Sequence, residues 1–327
     1  MTDMPLAVTV NAFGPLEDLR LEPHDPGQPS PGQVRIATET AGISYVDALV
    51  GRGEYQLKPH LPFILGNECA GIVEAVGEGV AADLLGQPVC GAGFLGAFSH
   101  AINLPARAVT PLPAGMSFEE AAVFRVSYAT AYYALVQRGN LKAGETLLVL
   151  GAGGAVGYAA VQVGKALGAR VIASASTEEK RALAMKGGAD AAVDSRSDNW
   201  REEVKAANGG RPIDVVVDPV GGDATEPAFR SLAWNGRLLV VGFAGGAIAR
   251  LPVNLPLLKG ASLIGVDLRQ LGEREPQVQA DNMRALFALY AQGKLSPAIA
   301  QVFPLERFVD ALCASKDSVG RVVLRMR

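Results

Sequence analysis

Residues 147–172 read LLVLGAGGAVGYAAVQVGKALGARVI. An apolar run, a glycine turn, a helical stripe and a second apolar run follow one another within about 30 residues, the context that makes a glycine motif informative. Gly151, Gly154 and Gly157 are spaced so that backbone can turn tightly and approach a pyrophosphate, and Gly153, Ala155 and Val156 complete the turn. The helix opening near Val156 points unpaired N–H groups at the anion. Val156, Ala160, Val163 and Leu167 recur at i, i+4, i+7 and i+11, the stripe a helix needs to lie on a sheet. The segment reads as the first half of a Rossmann-type dinucleotide site; the alternative is a glycine-rich loop with no ligand.

Working outward, apolar strands fit 146–150, 170–173, 191–193, 214–217, 237–241 and 262–266, with amphipathic helices between most neighbours. That alternation predicts a parallel sheet wrapped by helices, and six strands complete a doubly wound sheet. From the N-terminus to about residue 113 the signals are short alternating runs broken by Gly and Pro, at 7–10, 33–40, 70–76 and 99–104, which predict a compact β-rich domain. A helix opens near Ser117, where Ser-Phe-Glu-Glu supplies an N-cap and a capping-box glutamate; a second helix fits 127–138. After Gly272 come a long helix near 277–292 and a final strand at 321–324, a tail that could complete the first domain.

At roughly 150 residues per domain, a 327-residue chain has room for about two domains. Hydrophobic residues make up 49%, charged residues 19%, and the formal charge is -3, ordinary soluble composition. Lys and Arg are scattered among nearly equal numbers of acids, so no nucleic-acid groove is indicated. No apolar run reaches the 18 or so residues of a spanning helix, and the start has no basic, signal-like stretch, so the expectation is a cytoplasmic protein with no membrane partner. Cys69, Cys90 and Cys313 lie at no metal or redox spacing and read as buried small hydrophobes.

The end of the second strand separates NAD from NADP, because an acid there accepts the ribose hydroxyls and repels a 2'-phosphate. This chain has no acid there: it reads Ser174-Ala175-Ser176-Thr177, with Lys180 and Arg181 a turn into the next helix. One charge-assisted hydrogen bond, roughly 1.5 to 3 kcal/mol, favours NADPH by about tenfold to a hundredfold. NADPH is the expected cofactor; the alternative is that Lys180 and Arg181 are solvated helix residues.

The segments AGISYVDALVGRGEYQLKPHLPFILGNECAGIVEAVGEGV, VSYATAYYALVQRGNLKAGETLLVLGAGGAVG, VVVDPVGG and SLAWNGRLLVVGFAGG resemble those of the medium-chain dehydrogenase/reductases, and among them the zinc-free NADPH:quinone oxidoreductases related to zeta-crystallin. The resemblance implies an α/β chain made of a GroES-like β-barrel catalytic domain and a doubly wound Rossmann domain. The expected limits are 1–122 completed by 268–327 for the first, and 123–267 for the second. Zinc-dependent relatives carry a ligand Cys where this chain has Ser44 and a ligand His where it has Asn67, so no metal is expected. Without a Lewis acid the acceptor should already take hydride readily, as quinones and conjugated carbonyls do.

The resemblance further implies that Ser44 and Asp47, with Tyr45 and Tyr55, position the acceptor; Ser44 replaces the family's asparagine. Either tyrosine could instead be a packing residue. Thr130, Gly242, Phe243, Val266, Leu268 and Arg321 are expected along the cofactor, and Ser195 stands where the family often has a tyrosine near the adenosine phosphate. Arg125 reads as a surface partner of Glu119 or Glu120, or as an anion contact for an acidic or acyl-thioester substrate. The leading expectation is a quinone reductase, with an enoyl or acryloyl thioester reductase as a second reading and an NADPH-binding structural or regulatory protein as a third. The family resemblance also implies a homodimer, for which the apolar strand at 262–266 is a plausible edge.

Overall fold

The computed structural model describes residues 4–327. The chain divides into two compact units, Met1–Val126 with Pro297–Arg327, and Ser127–Ser296.

The first unit is built on a seven-stranded sheet. Its spine is the long strand Gln33–Ile43, antiparallel to Glu68–Val76, to Ala101–Pro105 and to the C-terminal strand Arg321–Arg325. Pro88–Ala92, Val109–Pro111 and Ile299–Pro304 extend this sheet, and a smaller one joins Leu6–Val10 to Arg20–Pro23 and Phe63–Ile64. Val8, Val34, Ile36, Leu65, Val89 and Phe98 meet in one fully buried core. Where the spine passes the helix Phe118–Tyr132 only glycine fits, since a Cβ at Gly42 would lie 2.1 Å from the Ala122 carbonyl oxygen.

The second unit is a six-stranded, all-parallel sheet. In chain order its strands are Thr146–Leu150, Arg170–Ala175, Ala191–Asp194, Ile213–Asp218, Leu232–Val240 and Ser262–Gly265, and in space they lie 3-2-1-4-5-6. The order reverses between the first and fourth strands, the switch point at which such sheets open a crevice beyond their carboxyl ends. All six expected strands are present. The helix after the first, Ala155–Ala166, is buried on every residue from Gly157 to Gly164, wider than the predicted stripe. Gly164 lies against Leu147, while Gln162 bonds Ser296 on another side.

Two expectations change. The helices expected from 117 and over 127–138 form one rod, Phe118–Tyr132, continued by the π-helical turn Tyr133–Arg138, because no Gly or Pro interrupts 118–138. Its start is the expected capping box, with Glu120 N–H donating to Ser117 Oγ and Ser117 N–H to the Glu120 carboxylate. The chain also returns to the first unit at Pro297 rather than at 268. The helix Pro276–Ala291 stays with the second unit, where Asn282 and Gln137 exchange amide hydrogen bonds and Ser296 joins Gln162. Among the described residues no helix is long and apolar enough to cross a membrane.

Candidate active site

In the second unit the carboxyl ends of the parallel strands carry most of the residues expected to hold the dinucleotide. Gly151, at φ 58°, starts the turn, and Gly154 is the N-cap of Ala155–Ala166 without any side-chain cap. The first-turn N–H groups of that helix are left for a ligand, as an anion site requires. A Cβ at Gly157 would lie 2.2 Å from the Gly151 carbonyl oxygen, so helix and strand approach as closely as glycine allows. Gly153 is covered by Lys180, whose Cβ would be 2.5 Å from a Cβ at 153. Lys180 is thereby set beside the turn, within the first turn of Glu178–Lys186, whose N-cap Thr177 accepts from Lys180 N–H.

The neighbouring residues divide. Ser176 is half-buried and Ser195 exposed at the ends of the second and third strands. Ser174 is buried, and its hydroxyl oxygen accepts the Trp200 indole N–H at 2.8 Å, so it serves packing. Arg181 is engaged by Asp194 at 3.0 Å, which leaves Lys180 the freer cation of the two. Gly242 and Phe243 follow the fifth strand and Val266 and Leu268 the sixth. Thr130 is buried in Phe118–Tyr132. A cavity of about 510 Å³ borders the fourth-strand turn through Gly222, lined also by Arg201, Asp223, Glu226, Arg230 and Arg250; the glycine turn takes no part in it.

The first unit holds a buried polar cluster. Ser44 caps the helix Tyr45–Arg52 in a capping box with Asp47: Ser44 N–H and O–H donate to Asp47 Oδ2 at 2.7 and 2.8 Å, and Asn67 Nδ2 donates to Ser44 Oγ at 3.1 Å. The Ser44 hydroxyl is therefore fully used within the cluster. Asp47 itself is only 2% exposed, so both residues position the helix start rather than offer a free group to an acceptor. Tyr45, 46% exposed, is the open phenol, whereas Tyr55 is half-buried with its ring 6.0 Å from that of Phe94.

Sequence reasoning placed Arg321 at the cofactor; the structure places it in this cluster. It is buried, pairs with Glu68 at 2.6 Å, and donates to the Ile43 and Val123 carbonyls. The other Glu68 oxygen accepts Val126 N–H at 3.1 Å. Arg125 is likewise no surface partner: it is 5% exposed and donates to Thr110 Oγ1, while Glu119 pairs with Arg325.

Burial pushes the Asp47 carboxyl up to about 7, reinforced by the charge of Glu68 and opposed by the Ser44 bonds and Arg321. Between about pH 4 and that value the folded chain holds a proton the unfolded chain has released, so this group's contribution to stability falls as pH rises through the window. Asp47→Asn abolishes that dependence. Its stability relative to the parent should rise from about pH 4 to about pH 7 and stay level above, by a few kcal/mol in all. Urea unfolding of both proteins at about pH 5 and about pH 8 checks this, and parallel pH dependences would refute it.

The donor set at Ser44 and Asn67, a hydroxyl and an amide bonded to each other, does not fit zinc, which takes thiolate, imidazole or carboxylate ligands. Among the described residues no three His, Cys, Asp or Glu side chains are grouped to hold a metal ion.

Residues 30–114 match the alcohol dehydrogenase GroES-like domain, and residues 155–284 match the family described as zinc-binding dehydrogenase. With the two sheets, these matches define a medium-chain dehydrogenase/reductase. The chain is 37% identical over 313 residues to quinone oxidoreductase-like protein 2 of Bos taurus, spanning 94% of this chain and 89% of that protein. The Escherichia coli quinone oxidoreductase complexed with NADPH superposes with a TM-score of 0.91 at 30% identity, over 98% of this chain and 100% of that one. The CurK enoyl reductase superposes with a TM-score of 0.90 at 26% identity, over 99% and 100%. The chain belongs to the quinone oxidoreductase family of the medium-chain dehydrogenase/reductases, and it is an oxidoreductase.

Proposed function

We propose that the protein reduces quinones and related conjugated carbonyl compounds with NADPH, without a metal. Its cofactor is NADP(H), and when bound that cofactor supplies hydride from its nicotinamide ring. The observation that carries the reading is the uncapped helix start at Gly154 with Lys180 over Gly153 and no acid at the end of the second strand. The helix N–H groups bind the pyrophosphate, and Lys180 with Ser176 favours the 2'-phosphate. The hydroxyl and amide at Ser44 and Asn67 offer no Lewis acid, so the acceptor must delocalise the incoming electron pair itself, as a quinone does. Tyr45 is the phenol able to donate to its oxygen.

Loss of NADPH absorbance on adding phenanthrenequinone tests this, with NADH and an enoyl thioester in parallel. Rapid NADPH-specific consumption with quinone supports the proposal. Turnover confined to the thioester would support the second reading, enoyl reduction, which the likeness to CurK favours. Ser176→Asp places an acid at the ribose and should lower the NADPH-to-NADH preference by at least about tenfold. An unchanged kcat/KM ratio in that variant would contradict the placement of the 2'-phosphate.

The working form is a homodimer. Ser262–Gly265 ends the parallel sheet, with one side unpaired among the described residues, and around it Trp234, Val253, Leu257 and Leu258 are 71 to 90% exposed. This short edge strand, with the exposed apolar side chains around it, is a template for pairing with a second copy. Light scattering should return twice the chain mass, 34.0 kDa; a monomer at all concentrations would refute it.

A further inference from the structure

The fourth strand ends in the buried carboxyl group of Asp218. Asp218 is 1% exposed, and no ion pair among the described residues includes it. Its partners all come from the turn that follows: Oδ1 accepts Val220 N–H at 2.9 Å and Gly221 N–H at 2.8 Å, and Oδ2 accepts the Thr225 hydroxyl at 2.6 Å. Burying a charge is costly unless it is hydrogen-bonded. Here those bonds also do something for the chain, because Gly221 and Gly222, at φ 70° and 60°, have little conformational preference of their own. The carboxylate sets their geometry.

That turn in turn braces two others. The Asp218 carbonyl accepts Val241 N–H at 2.9 Å and Gly242 N–H at 3.3 Å, the Pro219 carbonyl accepts Ala244 N–H at 3.0 Å, and the Val220 carbonyl accepts Gly245 N–H at 2.8 Å. The Phe243 ring lies over Gly221, where a Cβ would be 2.6 Å from Cδ1. On the other side Val220 Cγ2 sits 2.8 Å from where a Cβ on Gly151 would be. The turns after the first, fourth and fifth strands thus meet at Val220 and Gly221, at the sheet's switch point.

We propose that Asp218 is the positioning residue for the dinucleotide: by fixing the fourth-strand turn it holds the glycine turn and the Gly242–Phe243 turn in the arrangement that receives NADPH. The proposal rests on the cofactor assignment above. Asp218→Ala leaves two turn N–H groups and the Thr225 hydroxyl without their acceptor, whereas Asp218→Asn keeps an oxygen for both N–H groups.

The test compares these variants and Thr225→Val with the parent. NADPH dissociation constants come from quenching of Trp200 and Trp234, and KM is measured for NADPH and for phenanthrenequinone. Amide hydrogen exchange is followed over 151–154, 219–225 and 241–246. Asp218→Ala should raise both the NADPH dissociation constant and its KM by about tenfold or more while the quinone KM stays put, a split that general loss of folded protein does not produce. Exchange should quicken together in all three turns, and Asp218→Asn should return NADPH binding to within about threefold of the parent. An unchanged NADPH KM in Asp218→Ala, or exchange quickened only over 219–225, overturns the proposal. Should Asp218→Ala not fold, Thr225→Val must shift NADPH binding in the same direction; parental binding in that variant is equally fatal. A parent that fails to quench with NADPH would remove the cofactor assignment itself, and that result is visible before any variant is made.

Discussion

Gly157→Ala should lose NADPH binding by at least about a hundredfold, about 2.7 kcal/mol of binding free energy. The added Cβ would sit 2.2 Å from the Gly151 carbonyl oxygen, 2.8 Å from its carbonyl carbon and 2.9 Å from Ala152 Cα. All three are backbone atoms of the glycine turn, so no rotamer relieves the overlap. The helix must retreat from the strand, and the N–H groups at its start retreat with it. Overpacking of this kind costs about 1–3 kcal/mol of stability by itself, and binding suffers more because the aim of the N–H groups is what the anion uses. Gly265→Ala is the internal comparison, since nothing lies within 4 Å of a Cβ there. Quenching titrations with NADPH on both variants would decide it, and parental affinity in Gly157→Ala would show that the turn is not the phosphate site.

The second large effect is expected at the other end of the chain. Arg321→Met removes the only cation paired with Glu68 among the described residues, leaving a carboxylate 1% exposed that still accepts Val126 N–H. Breaking a buried pair from one side typically costs about 3–5 kcal/mol, because the surviving charge has no compensation. The loss should be at the upper end here, since Arg321 also satisfies the carbonyls of Ile43 and Val123. Adding Glu68→Gln should recover a substantial part of the loss, as expected when the penalty is the stranded charge rather than lost packing. Urea unfolding of the two variants measures both quantities. A single variant as stable as the parent would refute the penalty expected from breaking the pair.

The parallel sheet was legible because each strand is a short apolar run bounded by a turn, and the glycine turn because its spacing is itself the geometry. Gly151, Gly154 and Gly157 stand where the spacing put them. The polar cluster of the first unit was not legible. Glu68 and Arg321 are 253 positions apart and no local pattern links them; the resemblance brought Arg321 forward, but for the cofactor. Arg125 misled for a related reason: Glu119 and Glu120 precede it on the same helix, yet the helix turns it inward to Thr110. Asp218 does not stand out in the sequence, because a carboxylate before Pro-Val-Gly-Gly looks like ordinary turn chemistry, and only burial distinguishes it. The chain's return at Pro297 likewise depends on side-chain bonds between distant helices, Gln137 with Asn282.

All three cysteines fall in the first unit and none in the second. Cys69 and Cys90 are buried while Cys313 is exposed, and burial pushes the Cys69 thiol up to about 12 and the Cys90 thiol upward as well. Alkylation requires the thiolate and access to it. Cys313 should therefore react at once and serve as a per-molecule standard, while the other two react only as their own sheet opens. Thiol labelling thus becomes a clock for one half of the molecule, and the two tryptophans, both in the other half, report on the rest.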